Sequence, residues 1–139
     1  MTNTQNTVYL NDNSRVKPDH RRAAKLDLSS LIGKWTNTNP ATGGIAEIRV
    51  NQVKGALDIQ VLGARSGDLC DWGVRPATAY AYEVTGEFVA GFELTYEFED
   101  QQALVTAIHN RGVLVIHTYH KFKEDGLRTN YICKEFFHQ

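Results

Sequence analysis

Residues 87–99 read EFVAGFELTYEFE, and their alternation decides the fold. Phe88, Ala90, Phe92, Leu94, Tyr96 and Phe98 fall on one side of an extended chain. Glu87, Glu93 and Glu97 fall on the other. Successive side chains of a strand point to opposite faces, so the pattern predicts a long strand with one wet side. No stretch after residue 33 has the spacing of a long amphipathic helix.

Working outward, similar apolar runs recur between turn signals: GIAEIRV (44–50), ALDIQVLG (56–63), ATAYAYEV (77–84), ALVTAIH (103–109), VLVIHTYHKF (113–122) and RTNYICKEFF (128–137). With GKWTNT (33–38) they make about eight strands. Short strands with regular turns indicate an all-β fold, and closing them into a single eight-stranded antiparallel up-and-down β-barrel removes exposed sheet edges. The barrel domain is expected over residues 27–139. Residues 1–26 are polar, carry His20, Arg21 and Arg22, and read as a flexible N-terminal arm, with RRAAKLDL able to form a helical turn or two.

Turn chemistry sets the register. Asp125-Gly126 is a two-residue hairpin signal. It pairs Glu124 with Leu127, Phe122 with Thr129, His120 with Tyr131, Thr118 with Cys133, Ile116 with Glu135 and Leu114 with Phe137. A three-residue loop at Asn110-Arg111-Gly112 sets Leu114 beside Ile108, Ile116 beside Thr106 and Thr118 beside Leu104. A three-residue loop at Glu99-Asp100-Gln101 sets Tyr96 beside Leu104. The inner face then holds Phe88, Phe92, Leu94, Tyr96, Phe98, Leu104, Ile108, Leu114, Ile116, Phe122 and Phe137, with polar Thr106, Thr118, His120, Tyr131 and Glu135 among them. Small barrels are filled by side chains or hold one small ligand, and inward polar groups favour the ligand. The outer face shows Val105, Ala107, Val113, Val115, Tyr119, Ile132 and Phe136. An apolar patch of that kind suits a homo-oligomer, a dimer or tetramer, or a face covered by the N-terminal arm.

Composition limits the function classes. Fifteen basic against sixteen acidic side chains leave a net charge of -1, which gives no footprint for nucleic acid. No apolar run approaches the roughly 20 residues of a membrane helix. The first twenty residues lack a secretory pattern, so a reducing, cytoplasmic setting is expected, with Cys70 and Cys133 as thiols.

The chemistry-bearing residues are few. An inward Glu135 could act as acid, base or ligand anchor; His120 and Tyr131, cross-strand neighbours, could bind a ligand or move a proton. Cys133 shares their face, as a nucleophile or as a small buried hydrophobe. His117 and His120 are three apart and point to opposite faces, and no His-Cys spacing suits zinc, so neither a metal nor a cofactor is expected. Trp72, in LCDWGVRP, is placed near a barrel mouth. Tyr80 and Tyr82 share a face, as aromatic lining or ordinary core.

The Gly-Lys-Trp of LIGKWTNTNPATGG (31–44), followed by a run of antiparallel strands, resembles the calycin barrels: lipocalins, fatty-acid-binding proteins and avidins. GKWTN and GFELTYEF (91–98) are most similar to avidins. The resemblance implies that Trp35 plugs one end of the barrel. It makes Asn37 the counterpart of the asparagine that contacts biotin. The avidin serine falls at Ala41 and a biotin-stacking tryptophan at Tyr96, so this sequence departs from the biotin pattern. A lipocalin-type arginine packed over the tryptophan would be Arg128. The resulting expectation is non-catalytic binding of a small, largely apolar ligand, through Asn37, Trp72, Tyr80, Tyr82, Tyr96, Thr118, His120, Tyr131 and Glu135. The alternatives are a small-barrel cyclase or isomerase using Glu135, His120 and Tyr131, and an interaction module with a packed interior.

Overall fold

The computed structural model describes residues 25–124 and 126–139. The expected arm, up to residue 24, and Asp125 of the expected hairpin turn lie outside the described residues. A 3₁₀ turn, Ser29–Leu31, leads into eight strands: β1 Gly33–Asn37, β2 Ile45–Val53, β3 Ala56–Arg65, β4 Asp68–Ala81, β5 Val89–Glu97, β6 Gln101–Asn110, β7 Val113–Phe122 and β8 Tyr131–His138. Each pairs antiparallel with the next, and β8 pairs with β1 to close the barrel.

Three hairpins turn on two residues, Lys54-Gly55, Ser66-Gly67 and Arg111-Gly112, all with positive φ. That is the type I′ geometry, whose twist matches the flanking strands. The turn before β7 is therefore two residues, not three. Asn110 pairs with Val113, and Thr118 faces Val105 instead of Leu104. At the other edge of β6, Tyr96 pairs with Ala103 and Phe92 with Ala107. The two one-residue differences cancel across β6. Only that strand is inverted: Val105 and Ala107 point in, while Leu104, Thr106 and Ile108 point out. The reason is volume. Tyr96 and Phe92 already fill the interior there, so small Ala103 and Ala107 stand beside them.

The β7–β8 register agrees with expectation from Leu114–Phe137 to His120–Tyr131. Beyond it the ladder stops. Residues 123, 124 and 126–130 lie outside the strands, and the Phe122 amide donates to Asn130 Oδ1, so the expected Phe122–Thr129 and Glu124–Leu127 pairs do not form.

Two irregularities change which face is inside. Gly73 has φ +94° and sits where the β3–β4 register shifts. Before it Cys70 and Trp72 point inward; after it Ala77 and Ala79 do, which turns Tyr80 and Tyr82 outward. A second shift opposite Ala90 buries both Val89 and Ala90 and leaves Phe88 exposed, against its expected inward place.

The end holding the 3₁₀ turn is closed. Trp35 is 1% exposed; its indole N–H donates to Leu31 O at 2.9 Å, and its ring meets the His109 edge at 5.4 Å. Ile48, Ile59, Phe92, Leu114, Ile116 and Phe137 fill the interior above it. The loops after β1, β3, β5 and β7 ring the other end. Arg128 lies at that end, pairing with Asp100 and covering Phe122, so it does not pack over Trp35 as expected.

The register on β6 is testable. Val105→Asp buries a carboxylate with no partner and should cost several kcal/mol or abolish folding, whereas Ile108→Asp on the exposed face should shift stability by about 1 kcal/mol or less. Urea denaturation of the two variants checks it; the reverse order would restore the three-residue turn.

Candidate functional site

The open half of the barrel holds a cavity of about 330 Å³. Its wall includes Trp72 and Cys70 from β4, Thr118 and His120 from β7, and Tyr131, Cys133 and Glu135 from β8. Five of the expected ligand residues thus meet here: Trp72, Thr118, His120, Tyr131 and Glu135.

The other four stand elsewhere. Tyr96 is buried inside the barrel and meets the Trp72 ring edge-on at 5.5 Å, but it does not line the cavity. Its hydroxyl donates to Gly73 O at 2.7 Å, and burial pushes its pKa up to about 12, so the phenol stays protonated. Asn37 is buried with its amide engaged: Nδ2 donates to Ile45 O and to Glu135, and Oδ1 accepts from the Asn39 amide. Tyr80 and Tyr82 are on the outer surface. Tyr80 donates to Glu93, and Tyr82 to the His109 carbonyl.

Glu135 is the most constrained polar group of the wall. Oε2 accepts from Asn37 Nδ2 and Thr42 Oγ1, both at 2.5 Å, and Oε1 accepts from the Ile45 amide at 3.1 Å. Three of the roughly four lone-pair directions of a carboxylate are in use. Gly44 is required beside it, because a Cβ there would stand 3.0 Å from the Glu135 carboxyl carbon.

Trp72 is held as firmly. A Cβ on Gly63 would lie 2.7 Å from its indole nitrogen, so the glycine makes the space in which the ring rests. The edges or faces of Tyr96, Phe98 and His120 meet it at 5.5, 5.3 and 6.4 Å. His120 stacks on Tyr131 with centroids 4.3 Å apart and planes 10° from parallel. Its Nδ1 lies 2.8 Å from Gln101 Oε1, an acceptor, which makes Nδ1 the protonated nitrogen of the neutral ring. Burial pulls the His120 pKa below its ordinary 6.5, with Glu135 opposing. Burial, and then Glu135, raise the Cys133 pKa above 9.0 and keep it a thiol at neutral pH, which removes the thiolate a nucleophile needs.

Thr118 differs from all of these. Its side chain is 1% exposed and its hydroxyl has no hydrogen-bond partner. Such a group costs free energy unless something in the cavity meets it.

Sequence reasoning missed Thr42, Gln101, Cys70 and Arg65. Cys70 was within reach, since it stands two before Trp72 on the same strand face. Thr42 and Gln101 act across long separations in sequence that no local pattern reports. Among the described residues no group of three or more His, Cys, Asp or Glu side chains could hold a metal ion, and both cysteines are free thiols. No protein-family model matches the chain, and comparisons with curated proteins and with solved structures find no match.

Two outcomes follow from this geometry. Glu135→Gln removes charged acceptors from three donors and should cost roughly 2 kcal/mol or more of unfolding free energy, read by urea denaturation. A change within error would mean that the carboxylate does not hold the β1–β2 loop. For His120, the unfolded state binds the proton more readily than the folded state. Stability therefore falls as pH drops below about 6.5 and levels off only below the folded-state pKa. His120→Gln should reduce that slope between pH 7.5 and 5.5; parallel curves for the two proteins would exclude it.

Proposed function

We propose that this protein binds a small, largely apolar ligand in the open half of its barrel. The carrying observation is the cavity of about 330 Å³, lined by Trp72, His120, Tyr131 and Glu135, with Thr118 in its wall. That volume is within the range of about 300–1,000 Å³ usual for small-molecule sites, and a mostly apolar wall with a few directed polar groups is their usual chemistry. The closed end under Trp35 and the open end around Trp72 are consistent with a calycin-like barrel. Asn37, engaged in the β1–β2 loop, argues against a biotin-type contact.

Binding is favoured over catalysis by the state of Glu135. A proton-transfer group needs access to substrate and freedom to change charge, and this carboxylate is shared among three protein donors. The hollow mouth argues against a purely packed interaction module.

We also propose that a second copy covers the outer face of β6, β7 and β8. In the observed register Ile108, Val115 and Phe136 form one apolar row across these strands, and Leu104, Tyr119 and Ile132 form another. Ile108, Tyr119, Ile132 and Phe136 are each 43–55% exposed, in two apolar rows on either side of the Thr106–His117–Lys134 row, and exposed apolar side chains grouped in this way suit an interface.

Native mass spectrometry of the protein purified from its own host tests both proposals. The expected spectrum is a dimer or higher oligomer carrying added small-molecule mass, and Ile132→Ser with Phe136→Ser should shift it to monomer. An unliganded species that takes up none of a small-molecule library sinks the binding reading. A monomer for the unaltered chain sinks the interface.

A further inference from the structure

We propose that the mouth cavity selects a neutral, planar aromatic molecule of one or two rings that carries a hydroxyl or N–H group, and that it rejects organic anions. This rests on the binding reading above and gives that site its ligand class.

Shape comes first. Three aromatic side chains, Trp72, His120 and Tyr131, line the cavity, and each is held by neighbours. Trp72 is wedged among Tyr96, Phe98 and His120, and Tyr131 stacks on His120. Rigid rings favour flat partners that meet them edge-on or stacked, and lose little side-chain freedom in doing so. An apolar cavity of about 150 Å³ accepts benzene. The present volume of about 330 Å³ therefore has room for a two-ring system.

Hydrogen-bonding capacity comes second. Thr118 lies between Val105 on β6 and Cys133 on β8 in the sheet, and neither meets its hydroxyl. The oxygen is closed to the cavity as the side chain stands, so a ligand hydroxyl or N–H supplies the missing bond once the Thr118 side chain turns to another staggered position toward the mouth. An alkane would leave the hydroxyl as it is. The neighbouring His120, with Nδ1 turned to Gln101, keeps Nε2 as an acceptor.

Charge decides the rest. The carboxyl and guanidinium groups of the wall belong to Glu135 and Arg65. Arg65 is exposed, at the end of β3 on the rim, while Glu135 is half-buried. A carboxylate pushed among Trp72, His120 and Tyr131 would lose its hydration and face the Glu135 carboxylate with no cation inside to offset either cost. His120 does not supply one, because burial keeps its ring neutral at pH 7. An ammonium would find Glu135 already shared among three donors.

The test uses matched probes on the full chain at pH 7.5: 2-naphthol, indole and 2-naphthoate, titrated by NMR and tryptophan fluorescence. Naphthol and indole should shift the Trp72 indole and Thr118 signals, with Trp35 unchanged. Naphthoate should bind at least tenfold more weakly. Thr118→Val keeps the side-chain shape and removes a hydroxyl that has no partner in the free protein. It should leave Tm equal or raised and weaken naphthol at least fivefold. Naphthoate binding as tightly as naphthol, or unchanged naphthol affinity in Thr118→Val, overturns the proposal. So does the absence of any shift with all three probes. If the probes fail while native mass spectra still show a retained small molecule, the ligand class is wrong and the binding site stands. If both fail, the binding reading falls with it.

Discussion

The barrel closes through its weakest seam. β1 is five residues long, and its ladder with β8 has two residue pairs, Thr36–His138 and Asn37–Phe137. A closed sheet gains its advantage only if the last edge is joined. Here the join is reinforced from the side. Glu135, two residues before Phe137 on β8, takes hydrogen bonds from Asn37 on β1, from Thr42 in the following loop and from the Ile45 amide opening β2. The Thr38 amide adds a bond to Phe136 O, and Gln139 Nε2 one to Ile32 O. One carboxylate thus fastens β8 to the strand, loop and strand that follow the seam. The same fastening sets the position of Gly43 and Gly44, which form part of the cavity wall. Glu135, which the sequence leaves open as acid, base or ligand anchor, is held here by three donors of the chain itself.

The interior is divided by irregularities in the strands as much as by residue size. Below Gly73 the β4 side chains inside are alanines, matched to bulky Phe92 and Leu94 on β5, and the space is filled. At Gly73 the backbone takes a positive φ and Trp72 turns in. Its ring lies over Gly63 and is met by Tyr96, which stops the packed core from continuing upward. What remains above is hollow because its wall residues are small or polar: Cys70, Thr118, Cys133, Gly44.

Much of this is legible in the sequence, and the rest is missing for definite reasons. The eight strands follow from alternation, and the inward places of Thr118, His120, Tyr131, Cys133 and Glu135 follow from the β7–β8 register that the Asp125-Gly126 turn signal sets. The inversion of β6 is a counting matter. Arg111-Gly112 repeats the residue-then-glycine form of Lys54-Gly55 and Ser66-Gly67, and only the positive φ at both positions shows that the turn is two residues long. Hydrophobicity pointed the other way, since Leu104 and Ile108 are larger than Ala103 and Ala107. The core takes the smaller pair because of what faces them across the sheet, and one strand read alone does not contain that information. Tyr80 and Tyr82 are misread for a related reason. Their common face is legible, but the phase change at Gly73 that turns it outward is not.

The inward polar groups separate by whether the protein itself satisfies them. Asn37, Glu135 and Tyr96 each have their partners within the chain, and they account for closure and for rigidity around Trp72. His120 is half-satisfied through Gln101. Thr118 has no partner, at a depth where water-exposed alternatives are gone. A purely structural barrel has no use for that hydroxyl, because valine would fill the same volume without the desolvation cost. Among the described residues it is the buried side-chain polar atom left without a hydrogen-bond partner, and it stands at the wall of the hollow half, not in the packed half. The unpartnered hydroxyl on β7 and the carboxylate on β8 that holds the barrel shut are thus separate features of one wall.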